Sequence, residues 1–123
     1  LKGINEQFLV MASGDEHIYP CFKYGSDGTQ VSLAAIVPEK IVELIENIES
    51  GNFINAQELD KKLLILAKNI YGKYPHNFAT ARIKACLKLL GRLKNDNVRS
   101  PGHNLDQKEI SKLKNVLKEI KIL

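Results

Sequence analysis

The stretch richest in groups that could do chemistry is Gly14-Asp15-Glu16-His17, where two carboxylates and an imidazole directly follow the apolar run Phe8-Leu-Val-Met-Ala-Ser13. A carboxylate there could hydrogen-bond a hydroxylated substrate, and an imidazole could act as acid or base near neutral pH. Ser32 has the corresponding position in a second run, Gly28-Thr-Gln-Val-Ser-Leu-Ala-Ala-Ile-Val-Pro38, and its hydroxyl can both donate and accept. Each residue also has a purely structural reading. Asp15 or Glu16 can cap a helix and complement its dipole, His17 can be a surface residue, and Ser32 can bond back to its own backbone.

Other reactive residue types carry weaker signals. His76 and His103 fall in loops, and their spacing matches no metal site. Lys84 shares its helix with Arg82 and Lys88, and nothing in the pattern predicts the desolvation that would turn an amine into a nucleophile, so it reads as structural. Cys21 and Cys86 have no CxxC or Cys/His spacing and read as small buried hydrophobes. There is no Gly-rich phosphate loop, nucleophile elbow or zinc cluster, and neither a cofactor nor a metal is expected.

The elements that must position these residues follow from hydrophobic period and punctuation. The two apolar runs read as strands buried on both faces, over about residues 7–12 and 29–33, each followed by a turn and a helix. The first helix spans about residues 16–24, with Pro20 tolerated in its first turn. Pro38 opens the next helix and Gly51 lies just past its end, with Ile41, Leu44, Ile45 and Ile48 on one face. After Gly51 only helical periodicity remains. Asn52 caps a long helix with the stripe Leu59, Leu63, Leu66 and Ile70, and Pro75 interrupts the chain. Ile83, Cys86, Leu87 and Leu90 are the inward set of a helix over residues 79–90. Asp106 and Glu109 form a capping box ahead of Ile110, Leu113, Leu117 and Ile120.

The implied class is α/β and helix-rich, with a βαβα start over residues 1–51 and three helices over residues 52–123. Two strands cannot complete a parallel sheet, so the chain is expected to be a piece of something larger. The opening Leu1 in place of Met fits that expectation. No apolar run approaches the roughly 18 residues of a membrane span, so a cytoplasmic protein without a membrane partner is expected. Charge is uneven. Residues 79–123 carry eleven Lys or Arg against four Asp or Glu, whereas residues 1–78 carry seven against ten. Lys108, Lys112, Lys114, Lys118 and Lys121 take the outward positions of the last helix, which favours a solvated face over a nucleic-acid surface.

Taken in order, several pieces resemble the carboxyl-terminal part of the dihydrodipicolinate synthase and N-acetylneuraminate lyase family. They are Phe8-Leu-Val-Met-Ala-Ser-Gly-Asp-Glu16, Tyr24-Gly-Ser-Asp-Gly28 and Gly51-Asn-Phe-Ile-Asn-Ala56, then Ile83-Lys-Ala-Cys-Leu-Lys-Leu-Leu-Gly91 and Val98-Arg-Ser-Pro101. The family consists of (β/α)₈ TIM-barrel aldolases that act through a pyruvate Schiff base. The resemblance implies the last two βα units of such a barrel followed by a three-helix appendage, usually in a homo-oligomer. It also implies that the Schiff-base lysine lies outside this chain, which by itself would be inactive and hold no catalytic residue. Gly14, Glu16, His17 and Ser32 then match the substrate-binding wall that faces the aldehyde or 2-keto-3-deoxy sugar-acid part of the substrate. His17 departs from the second acid of the neuraminate lyases. Gln30, Val31 and Ala35 depart from the lysine-pathway enzymes, and Ala79-Thr-Ala-Arg82 replaces a proline-rich segment. The competing class is a non-catalytic helical interaction module with a basic carboxyl-terminal face, which salt-sensitive binding of a polyanion would reveal.

Overall fold

Met11–Ser13 (β1) and Gly28–Gln30 (β2) pair in parallel in the computed structural model, which describes residues 8–123. Their register sets Met11 against Gly28, Ala12 against Thr29 and Ser13 against Gln30. The connection is α1 (Ile18–Lys23), and β2 is followed by α2 (Leu33–Ile36) and α3 (Pro38–Glu49). The remainder is α4 (Phe53–Ile70), a 3₁₀ turn at His76–Phe78, α5 (Ala79–Leu89) and α6 (Gln107–Glu119). No helix among the described residues is long and apolar enough to cross a membrane.

The strands are shorter than the apolar runs predict. The first begins only at Met11, and position 7 of the expected strand lies outside the described residues. The second ends at Gln30, and Leu33–Ile36 turns into a helix rather than continuing the strand. A short run of buried apolar residues looks the same in either conformation, so hydrophobicity alone could not separate them. Burial on both faces also fails in this chain. Ala12 is buried, whereas Phe8, Leu9 and Met11 are 65%, 77% and 56% exposed. Fully burying one such side chain is worth roughly 1.5–3 kcal/mol, so residues 8–11 leave several kcal/mol of apolar burial unrealised.

Helix punctuation follows the sequence more closely. Pro38 occupies the first turn of α3, where its missing N–H costs nothing. Gly51 adopts φ +76° beyond the helix end, which lets its N–H reach the Ile48 carbonyl and the Asn52 N–H reach the Asn47 carbonyl. Asn52 precedes α4, but its side chain accepts no capping bond. Asp106 does cap α6, accepting the Glu109 N–H at 2.7 Å. The box is only half formed, because the Glu109 carboxylate turns to Arg82 at 3.5 Å.

One continuous core runs through Ile18, Leu33, Ile36, Leu44, Leu63, Leu66, Cys86 and Leu117. Cys86 is buried, which pushes its thiol up to about 12 and leaves it unreactive; Cys21 is only half-buried, contrary to the expected burial of both. On α5 the buried set is Ala81, Arg82, Ala85 and Cys86, while Ile83, Leu87 and Leu90 are half-buried. The most deeply buried face of the helix is therefore rolled towards Ala81, Arg82 and Ala85, although Cys86, Ile83 and Leu90 still meet the core as predicted. Arg82 explains the roll. Its side chain is 1% exposed, and its Nη1 donates to the carbonyls of Ile70 at 3.0 Å and Lys73 at 3.1 Å. The Ile70 carbonyl ends α4, where the helix supplies no partner of its own, and the Lys73 carbonyl lies in the turn that follows. With Nη2 on Glu109, Arg82 joins α4, α5 and α6.

Arg92 makes the comparable link to the strand-bearing part, donating to the Ile36 carbonyl at 2.9 Å and to Glu39 at 3.2 Å. Replacing Arg82 with Met keeps most of the volume but strands two carbonyls and a carboxylate. The expected loss is about 2–3 kcal/mol of unfolding free energy, read from urea denaturation. An unchanged midpoint would show that Arg82 is not the fastening between these helices.

Candidate functional site

The parallel pairing of β1 and β2 puts both carboxyl ends at one edge, so the segments 14–17 and 31–32 emerge side by side. Gly14 follows β1 at φ +96°, a conformation that side chains rarely adopt, and its carbonyl accepts the His17 N–H at 3.1 Å. This tight turn delivers Asp15 towards the other strand. Its Oδ1 accepts the Leu33 N–H at 2.5 Å, satisfying the first backbone donor of α2.

That bond decides between the readings of Asp15. The carboxylate is a cap, but of the helix after the neighbouring strand and not of the helix that follows it in sequence. The opposite end of the strand pair is held in the same manner, by Asp27 Oδ2 accepting the Val10 N–H at 2.8 Å and the Asp27 N–H donating to Val10 at 2.8 Å. Between these ends, the Thr29 hydroxyl donates to the Ala12 carbonyl at 3.2 Å.

With Asp15 occupied, Glu16, His17 and Ser32 are left exposed at the strand ends. Glu16 adjoins one end of the Asp15–Leu33 bond and Ser32 the other, so the bond brings the loops of all four predicted site residues to one place. Ser32 lies two residues beyond β2 and not at its end; it has helical φ/ψ at the start of α2, and its hydroxyl makes no capping bond. His17 immediately precedes α1 and makes no side-chain cap either. Its ring lies beside Gly14, where an added Cβ would stand 3.5 Å from His17 Cδ2. The edge therefore presents a carboxylate, an imidazole and a hydroxyl to solvent, suited to hydrogen-bonding a polyhydroxylated or polar ligand. It does not assemble a nucleophile with a base.

The other sequence candidates stand apart. Lys84 donates to the Asn97 carbonyl and so fastens α5 to the following loop, as its structural reading requires. His76 Nδ1 lies 2.9 Å from the Tyr71 carbonyl, and the His103 ring meets Phe78 edge-on. Among the described residues no group of three or more His, Cys, Asp or Glu is placed to hold a metal. Sequence reasoning missed the role of Asp15 across the strands. The available signal was an Asp directly after a strand-ending Gly, but its partner lies 18 residues away.

Two parallel strands with helices on their connections, and polar side chains at the carboxyl ends, are the arrangement of an α/β fold. Residues 1–120 match the model of the Dihydrodipicolinate synthetase family, and the chain belongs to that family. It is 29% identical over 122 residues to the 4-hydroxy-tetrahydrodipicolinate synthase of Thermotoga petrophila, covering 99% of this chain and 40% of that protein. Among solved structures it superposes with a TM-score of 0.85 and 26% identity on YagE, a prophage protein of the dihydrodipicolinic acid synthase family from E. coli K12 solved in complex with pyruvate, covering 99% of this chain and 40% of that one. It also matches the N-acetylneuraminate lyase of Fusobacterium nucleatum with a TM-score of 0.83 and 24% identity over 97% of this chain and 39% of that one, a likeness of fold. The chain thus spans about 40% of the length of the proteins it matches.

Asp15→Ala removes the acceptor for Leu33, whereas Asp15→Asn keeps one. The alanine variant should lose about 1–2 kcal/mol of stability and the asparagine variant clearly less, as measured by chemical denaturation. Equal losses would mean that the Asp15 charge, and not its acceptor oxygen, holds the two loops.

Proposed function

We propose that this chain is the carboxyl-terminal part of a class I pyruvate aldolase or lyase, forming the last two βα units of its (β/α)₈ barrel with residues 1–51 and a three-helix appendage with residues 52–123. Family membership supports the parent chemistry. The observation that carries the site is the Asp15–Leu33 bond, which gathers Glu16, His17 and Ser32 at the carboxyl ends of two parallel strands. That is the edge on which barrels of this kind assemble their active sites.

In the parent, a lysine amine adds to the ketone of pyruvate and loses water, and the resulting imine draws electrons from the adjacent carbon to form an enamine that joins an aldehyde. The strand ends here, Gly14 to His17 and Val31 to Ser32, contain no lysine, which supports a Schiff-base amine supplied from outside these residues. Glu16 accepts hydrogen bonds from hydroxyls of the aldehyde-derived part, Ser32 donates or accepts beside it, and His17 contributes a further polar contact. Gly14 leaves room for the substrate to approach the backbone. The substrate is a 2-keto-3-deoxy sugar acid or the aldehyde of a dihydrodipicolinate synthase-type condensation. The parent works in the cytoplasm as a homo-oligomer without a metal or organic cofactor.

Borohydride reduction in the presence of pyruvate separates the two levels of this reading. The 13.8 kDa chain alone should show no mass increase, while the parent should gain one pyruvate-derived adduct on a lysine outside residues 1–123. An adduct on a lysine of this chain would refute it. In the parent, Glu16→Gln should lower kcat/KM for the hydroxylated partner by about tenfold, the worth of one charge-assisted hydrogen bond, and leave imine formation with pyruvate unchanged.

A further inference from the structure

The loop after α5 closes on itself and stands off the helix. Asn104 ties its two ends, with Oδ1 accepting the Val98 N–H at 3.0 Å and Nδ2 donating to Asn97 Oδ1 at 3.3 Å. Within it the Gly102 N–H donates to the Arg99 carbonyl at 2.9 Å, and an added Cβ at Gly102 would stand 2.9 Å from that same oxygen, so the tight turn requires glycine. Lys84 fastens the loop to α5 through the Asn97 carbonyl. Between this pinned loop and the start of α5 lies a cavity of about 370 Å³, within the size range of small-molecule sites.

The polar lining comes from three places: Asn77 in the 3₁₀ turn, Thr80 and Lys84 on α5, and Arg99 and His103 on the loop. Among the described residues the side chains of Asn77, Thr80 and Arg99 make no hydrogen bond or ion pair, so their donors are available to a ligand. Lys84 spends one of its three donors on Asn97. No carboxylate lines the cavity, and Asp96, whose charge Lys84 feels, is itself paired with Lys88 at 2.7 Å. The apolar lining is Ala81 and Val98, too little to hold a hydrophobic ligand.

We infer that this cavity binds the phosphate monoester of a sugar or other polyol. The planar fork of Arg99 takes two phosphate oxygens, and the remaining Lys84 donors share the charge. Asn77 and Thr80 hydrogen-bond the hydroxyls. A nucleobase finds no aromatic platform beyond the His103 ring, which already stands edge-on to Phe78. The cavity shares no residue with the strand ends, and binding there is independent of the parent chemistry.

The test is an amide NMR titration of the 123-residue chain with β-glycerophosphate at fixed ionic strength, with inorganic phosphate and glycerol as references. Saturable shifts should be confined to residues 77–84 and 97–104. Inorganic phosphate should bind about fivefold more weakly, the worth of one or two neutral hydrogen bonds, and glycerol should not saturate. Arg99→Gln should weaken β-glycerophosphate by about tenfold, the loss of a charge-assisted bidentate contact. Thr80→Val should weaken it by about threefold and leave inorganic phosphate unchanged. Both side chains are exposed and unbonded, so the urea midpoints of the two variants should stay at the wild-type value, which separates lost binding from lost fold. Equal affinity for inorganic phosphate, an Arg99→Gln variant that binds as wild type does, or shifts spread over the lysines of α6 would overturn the site.

Discussion

The Asp15 carboxylate on the Leu33 N–H is the contact on which the strand-end arrangement depends. A parallel ladder three residues long offers few hydrogen bonds, and two isolated strands are marginal in water. Here the ladder is held at both ends by carboxylates, Asp27 on Val10 and Asp15 on Leu33. The second of these also satisfies the first N–H of α2, directly after Ser32. Glu16 and His17 remain available because Asp15 does the capping.

The helical part is fastened by arginine. Arg82 satisfies the Ile70 carbonyl at the end of α4 and the Lys73 carbonyl beyond it from within α5 and reaches Glu109 on α6, while Arg92 reaches back to Ile36 at the end of α2 and Glu39 at the start of α3. A planar guanidinium with several donors suits this use better than lysine, because it can serve two carbonyls and a carboxylate at once. Apolar contact then supplies the bulk of the stability. The core continues from Ile18 and Leu33 through Leu66 to Leu117 without a break at Gly51. The strand-bearing part thus rests on the helices at one face and leaves Phe8, Leu9 and Met11 uncovered at another.

How much of this was legible depended on the range of each interaction. Helix α3 could be read from Pro38, Gly51 and an apolar stripe, and α6 from Asp106 and its stripe, because those signals lie within a few residues of one another. Strand length could not, since a buried strand and a buried helical turn share the same apolar composition at Leu33–Ile36. The burial of Arg82 on α5 was not legible, because a sequence pattern counts arginine as outward and only the Ile70 and Lys73 carbonyls explain it. The placement of Gly14, Glu16, His17 and Ser32 just after the two strands was legible. The bond that joins their loops was not, because it links residues 18 apart.

Hydrogen exchange on the 123-residue chain tests most directly whether the strands belong to a larger barrel. Three rungs with open edges and an uncovered apolar face should exchange quickly when the chain is monomeric, while α4, α5 and α6 protect their amides. If the chain associates, protection of β1 and β2 should appear only in the associated form. A monomer in which both strands are as protected as the helices would contradict the view that they require neighbouring strands, and with it the reading of this chain as the closing segment of a barrel.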